Sequence, residues 1–274
     1  MVPKSEIRNQ PGRRTGSDLP FVVGLSICGG LYVFLIVAML TADASFTSPW
    51  HVWRALGTRE IQYAIMLSLI SCTITTILSL WVAVPLGYLL SRYNFVGKLI
   101  IDAIVDIPIV LPPLVIGLSL LILFQTPPGR MVEKVIPVTY AVPSIILAQF
   151  AVACAFAVRT MRVTFDQIPV RREQVALTLG CTRSQAFWWV VLPDGRRGIL
   201  AAATLAWARA LGEFGPILVF SGATRMKTEV LPTTVFLELS VGNLEAAVAV
   251  SLLMVLTAVT VLLLVRVCGK EKGA

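Results

Sequence analysis

The chain has 274 residues, 57% hydrophobic and only 14% charged, with a mean hydropathy of +0.83. Soluble domains run to about 45–50% apolar and about 25% charged residues, so this chain has too little polar surface to cover a globule of its own size. That excludes a soluble enzyme, a disordered regulator and a secreted disulfide scaffold, and predicts an all-α integral membrane protein. The net charge of +8 is spread over short segments between apolar runs, where it orients a polytopic chain in lipid. No nucleic-acid module is visible, so membrane lipid is an expected partner and nucleic acid is not. Five cysteines without a CxxC pair and the single His51 give no disulfide framework and no metal site; the cysteines read as small packing residues.

In chain order, residues 1–18 form a polar tail with Pro3, Pro11 and Gly12, expected to be disordered. A spanning helix needs about 20 mainly apolar residues. The runs 19–42, 61–91, 107–129, 135–158, 198–224 and 246–265 meet that need, which predicts about six transmembrane helices in one domain over 19–267, followed by a tail at 268–274. Ala42-Asp43-Ala44 has the form of a signal cleavage site, but the preceding apolar stretch exceeds the about 7–15 residues of a signal core, so the first run reads as a retained helix. The run 61–91 is longer than a bilayer requires, and is either tilted or kinked at Pro85 and Gly87.

Sixteen Lys and Arg residues fall in the two tails and the segments 92–98 and 159–197, against six in the alternate segments. By the positive-inside rule both termini are cytoplasmic.

Within the third span, Pro112 and Pro113 remove two backbone donors and mark either a gate or a simple kink. Asp106, near its cytoplasmic end, is expected to cap or pair locally. The longest cytoplasmic segment, 159–197, reads as two short helices around a glycine. Arg171–Leu179 has a helical pattern, Gly180 suits a left-handed helix end, and Thr182 or Ser184 can cap a second helix that carries Phe187, Trp188 and Trp189 towards Leu192-Pro193. Such a hairpin is either a surface anchor or a docking element.

In the fifth span Arg209 and Glu213 stand four residues apart on one helical face. Each ionisable group at bilayer depth costs about 2.5–3.5 kcal/mol on insertion scales. The pair therefore either lines an anion path, with Glu213 holding Arg209, or is a self-neutralising packing contact. Gly212, Gly215 and Pro216 make the same helix bendable or closely packed. The outer segment 225–245, with Arg225, Lys227, Glu229, Glu238 and Glu245, is either a partner-docking surface or a solvated charge cluster.

Three motifs together resemble one family. Glu173-x-x-Ala176-x-x-x-Gly180 followed by Leu192-Pro193 resembles the EAA loop of ABC-importer permeases, with Val175 in place of the usual first alanine. Asp106-Ile107-Pro108 through Pro112-Pro113 and Gly117 resembles a second stretch of those permeases. Arg209-Ala210-Leu211-Gly212-Glu213-Phe214-Gly215 is similar to the signature of the molybdate, tungstate and sulfate subgroup.

The resemblance implies a permease subunit that forms the path for a tetrahedral oxyanion; the alternative cargo is another solute, such as phosphate or a polyamine. It implies a coupling helix within about 165–195, with Arg172, Glu173, Ala176, Gly180, Leu192 and Pro193 engaging a cytoplasmic ABC ATPase dimer. Ala176 and Gly180 would be small because another backbone approaches. Pro112, Pro113, Arg209, Gly212, Glu213 and Gly215 become candidates for the pathway or gate. An extracytoplasmic solute-binding protein and a second permease copy, in a homodimer, are the other implied partners. The chain has no GxxxxGK[ST] sequence, so it binds no cofactor of its own; ATP and Mg would be used by the partner ATPase, and the chain is not an enzyme.

Overall fold

The computed structural model describes residues 19–46 and 49–270. The tail at 1–18 and the last four residues lie outside that range. Helix α1 (Leu19–Phe46) forms a compact unit by itself. Its apolar side chains are exposed on every side, as suits a helix whose solvent is hydrocarbon.

The second unit begins with α2 (Pro49–Leu56) and the 34-residue α3 (Arg59–Arg92), then α4 (Lys98–Val110), α5 (Pro113–Gln125), α6 (Pro127–Val135) and α7 (Val142–Gln167). A helical hairpin follows: α8 (Val170–Thr178), α9 (Arg183–Ala186), a π-helical turn over Phe187–Val191, and α10 (Leu192–Asp194). The chain ends with α11 (Arg196–Leu211), α12 (Gly215–Phe220), α13 (Leu231–Ser240) and α14 (Leu244–Lys270). The chain is all-α and membrane-embedded. Among the described residues α1, α3, α7 and α14 are long and apolar enough to cross a bilayer singly, while α4 and α5 pass that test only as a pair bent by 113°.

Prolines set several of the helix starts, because a proline disfavours the helical conformation in the residue before it. Leu111 (ψ 140°) and Pro112 (ψ 133°) are both extended ahead of Pro112 and Pro113, which ends α4 and restarts the chain as α5. Thr126 before Pro127 and Ile168 before Pro169 behave alike.

The core is the seam between α3 and α7. Ala64, Ser68, Ser71, Cys72, Thr75, Ser79, Ala83 and Gly87 repeat every three or four residues along the buried face of α3, a small-residue stripe that lets two membrane helices approach closely. At Gly87 a methyl group would lie 2.8 Å from the Met161 Cβ. Pro85 is accommodated inside a continuous α3.

Four expected boundaries differ from those observed. The third run is two helices and begins at Lys98 instead of 107. The fourth begins at Val142 and runs on to Gln167, nine residues into the charged segment that looked like loop. It continues because its charges are matched: Arg159 pairs with Asp102 and Asp106, and Arg162 with Asp102 at 2.5 Å and Asp166 at 3.9 Å. Asp106 thus pairs across to α7. The fifth run is broken at Gly212–Phe214 into α11 and α12. The segment 225–245 contains its own helix, α13.

Candidate functional site

The hairpin at 170–194 is built by local signals. Beyond α8 the Gly180 N–H donates to the Leu177 carbonyl at 3.0 Å and the Cys181 N–H to the Ala176 carbonyl at 3.1 Å. This paired closure needs a left-handed residue, and Gly180 supplies it with φ +92°. Thr182 then starts α9 through a reciprocal cap: its hydroxyl accepts from the Gln185 N–H, and the Gln185 side-chain Oε1 accepts from the Thr182 N–H at 2.8 Å. The π turn lies just before Pro193, whose ring would clash with the Trp189 carbonyl in an uninterrupted α-helix.

One face of α8 turns inward. Glu173 is 9% exposed and Ala176 7%. The Tyr88 hydroxyl donates to one Glu173 oxygen at 2.5 Å, and the Arg92 guanidinium lies 3.5 Å from the other. Arg92 also donates to the Ile168 carbonyl at 2.7 Å. The Phe187 ring packs on Tyr88 with centroids 4.7 Å apart, and Phe165 closes the cluster. Arg172 crosses the hairpin to Asp194 at 2.7 Å. Glu173 and Arg172 therefore tie the loop to its own chain.

The opposite face carries Val175, Leu179, Trp188 and Trp189, all more than half exposed. Leu192 is half-buried and Pro193 exposed beside them. A side-chain carbon at Gly180 would meet nothing within 4 Å, so within this chain its requirement is its conformation and not a neighbouring backbone.

The second group lies where two broken helices cross. Gly117 of α5 faces Pro216 of α12, and an added methyl would stand 2.7 Å from the Pro216 Cα. At Gly215 it would stand 3.1 Å from the Leu114 nitrogen and 3.2 Å from the Pro113 Cβ. The crossing brings Pro113 and Gly215 together, while Pro112 and Gly212 are exposed beside it. Arg209, in the last turn of α11, pairs with Glu213 at 2.7 Å across the break. The pair forms although Glu213 is already beyond the helix end. Glu213 is 1% exposed and the Arg209 side chain 29%, with the guanidinium 5.7 Å from the centre of the Phe156 ring. The buried acid thus fixes an accessible cation.

Reading the motifs did not find Tyr88 and Arg92. Their signal was available: a hydroxyl and a cation four residues apart at the very end of an apolar run. In the segment 225–245 Arg225 pairs with Glu238 at 2.7 Å, and Glu229 is fully buried. Burial raises the Glu229 carboxyl above its ordinary range, against the opposing pull of a nearby Thr234 hydroxyl and Arg225.

Comparison with known proteins adds to this geometry. A family model described as binding-protein-dependent transport system inner membrane component matches residues 83–270. The chain is 38% identical over 238 residues to a probable molybdenum ABC transporter permease protein of Haloferax volcanii, covering 87% of this chain and 85% of the relative. It is 31% identical over 230 residues to the sulfate transport system permease protein CysT of Escherichia coli, covering 83% and 82%. Against the molybdenum transport system permease protein ModB of Mycobacterium tuberculosis it is 32% identical over 253 residues, covering 90% and 94%. Among solved structures, a chain of a bacterial alginate ABC transporter, in complex with an alginate pentasaccharide-bound periplasmic protein, superposes with a TM-score of 0.72 at 15% identity, covering 90% of this chain and 93% of that one. That last likeness is one of fold.

Proposed function

The chain belongs to the binding-protein-dependent transport system inner membrane components, the permeases of ABC importers, and from that premise we propose that it forms the path for a tetrahedral oxyanion of the molybdate, tungstate and sulfate class. The observation that carries this reading is the Arg209–Glu213 pair at the break between α11 and α12. A guanidinium held in place by a buried carboxylate, yet itself accessible, offers fixed donors to an oxyanion. Similarity to molybdenum and sulfate permeases supports the same cargo class.

In this reading six spans form the subunit, α11 with α12 making the fifth, and both termini are cytoplasmic. The 170–194 hairpin is the lever on which a cytoplasmic ABC ATPase dimer acts, meeting its exposed Val175, Leu179, Trp188 and Trp189. Two copies of the chain place their α5–α12 crossings around a shared path. An extracytoplasmic solute-binding protein delivers the anion. ATP and Mg belong to the ATPase.

The test is to purify the tagged chain gently from its native membrane and identify what accompanies it. An ATPase bearing Walker motifs, recovered with the wild type and lost with Gly180→Leu, supports the importer assignment. Binding assays on the accompanying solute-binding protein with molybdate, tungstate, sulfate, phosphate and a polyamine then fix the cargo. A folded preparation that brings no ATPase returns the hairpin to a membrane-surface anchor.

A further inference from the structure

Helix α3 is held by polar contacts at both of its ends. At the end near Arg92, Tyr88 and Arg92 hold Glu173 and the Ile168 carbonyl of the hairpin. At the other end the Tyr63 hydroxyl donates to the Lys227 carbonyl at 3.2 Å, and the Ser68 hydroxyl accepts from the Leu231 N–H at 2.9 Å. The second pair of contacts fixes the segment 227–231, which contains the buried Glu229 and leads into α13. Tyr63 and Tyr88 are 25 residues apart on one unbroken helix, about 38 Å at 1.5 Å per residue.

Two other routes from the hairpin are interrupted, and a third, α7, is unbroken and packs against α3. The covalent continuation of the hairpin, α11, ends at Leu211 and resumes only at Gly215. The pair α4 and α5 is bent by 113°. In contrast, α3 keeps its buried small-residue face against α7 along most of its length, and close-packed elements transmit displacement instead of absorbing it.

Building on the importer reading above, we propose that α3 is the rod that carries hairpin movement to the outer segment 227–231, with Tyr88 and Tyr63 as the positioning residues at its two ends. Neither tyrosine touches the transported anion; each fixes the rod to the element it moves. The phenol ring of Tyr88 packs between Phe165 and Phe187, so Tyr88→Phe keeps the packing and removes only the hydroxyl.

Hydrogen exchange in the full transporter complex, with and without ATP, separates the possibilities. In the wild type, ATP should change exchange at 170–194 and at 222–231. In Tyr88→Phe the hairpin should still respond and 222–231 should not, with basal ATP hydrolysis retained and uptake per ATP reduced. Tyr63→Phe, a second variant at the far end, should give the same split. A merely structural role would instead loosen both segments without ATP and lower the yield of complex. An outer response that survives both substitutions overturns the proposal, as does a wild type whose hairpin responds while 222–231 stays silent. A wild-type hairpin indifferent to ATP sinks the importer reading itself, and this inference with it.

Discussion

Gly117→Ala tests the crossing of the two broken helices most directly. The added methyl would lie 2.7 Å from the Pro216 Cα and 2.9 Å from the Pro216 carbonyl oxygen, where ordinary contact begins at 3.4 Å. The shortfall of about 0.7 Å is against backbone, which cannot rotate away as the end of a side chain can. Either α5 and α12 separate or the α5 start at Pro113 tilts, and both disturb the contact of Gly215 with Pro113 and Leu114. Overpacking of this kind costs about 1–3 kcal/mol, roughly a 5- to 150-fold change in an equilibrium constant at about 1.4 kcal/mol per decade. Thermal unfolding of the purified protein in detergent should fall by several degrees, and anion uptake in proteoliposomes, normalised to inserted protein, should drop. Gly180→Ala is the contrast. The space is open there, so the cost is the left-handed backbone alone, about 1–2 kcal/mol, felt in the hairpin and not at the crossing. If Gly117→Ala left both melting temperature and uptake at wild-type values, the close approach of α5 to α12 would be wrong.

Three further outcomes follow from the same geometry. Arg209→Met strands the buried Glu213 carboxylate, and breaking a buried pair from one side costs about 3–5 kcal/mol; folded yield should fall sharply, whereas Arg209→Met with Glu213→Leu should recover yield but not anion flux. Recovery of flux in the double variant would make the pair a packing contact only. For Glu229 the folded pKa is raised, so the native state binds this proton more tightly than the unfolded chain does. Stability from this group is therefore present at low pH and lost as pH rises through its folded pKa, above 4.5. Glu229→Gln should raise the melting temperature at pH 8, change it little at pH 5, and flatten the profile between them; a pH-independent effect would refute the assignment. Removing Asp102, which meets both Arg159 at 2.8 Å and Arg162 at 2.5 Å, should loosen α4 from α7, read as faster proteolysis within 94–111.

Much of the hairpin could be read in the sequence because its signals are local. Gly180 after a helical repeat and Thr182, one of two candidate caps, each act within one turn of chain, and each is found in that role. The Arg209–Glu213 spacing was equally legible. Hydropathy could not see the break between them, since Gly212 and Phe214 fit an apolar run whether or not the backbone stays helical. Nor could it end α7 correctly, because charge marks the edge of a bilayer and not the end of a helix when partners such as Asp102 and Asp106 lie opposite. The grip of Tyr88 on Glu173 joins residues 85 apart in sequence; the spacing of Tyr88 and Arg92 marks a polar helix end but does not name the partner it holds.

The π turn over Phe187–Val191 has a consequence for tolerance to insertion and deletion. Such a turn holds one residue more than the α-helix it interrupts, and each α-helical residue rotates the chain by about 100°. Deleting one residue between Phe187 and Val191 removes that extra residue, so Phe187 stays packed on Tyr88, α11 keeps its phase, and only the carbonyl four residues before the proline must tilt away. Deleting one residue from α8 has no such slack, and would swing Glu173 and Ala176 about 100° relative to Thr178 and the turn beyond it. Two deletions of equal size, a few residues apart on the same knob, should therefore differ sharply in what they leave working.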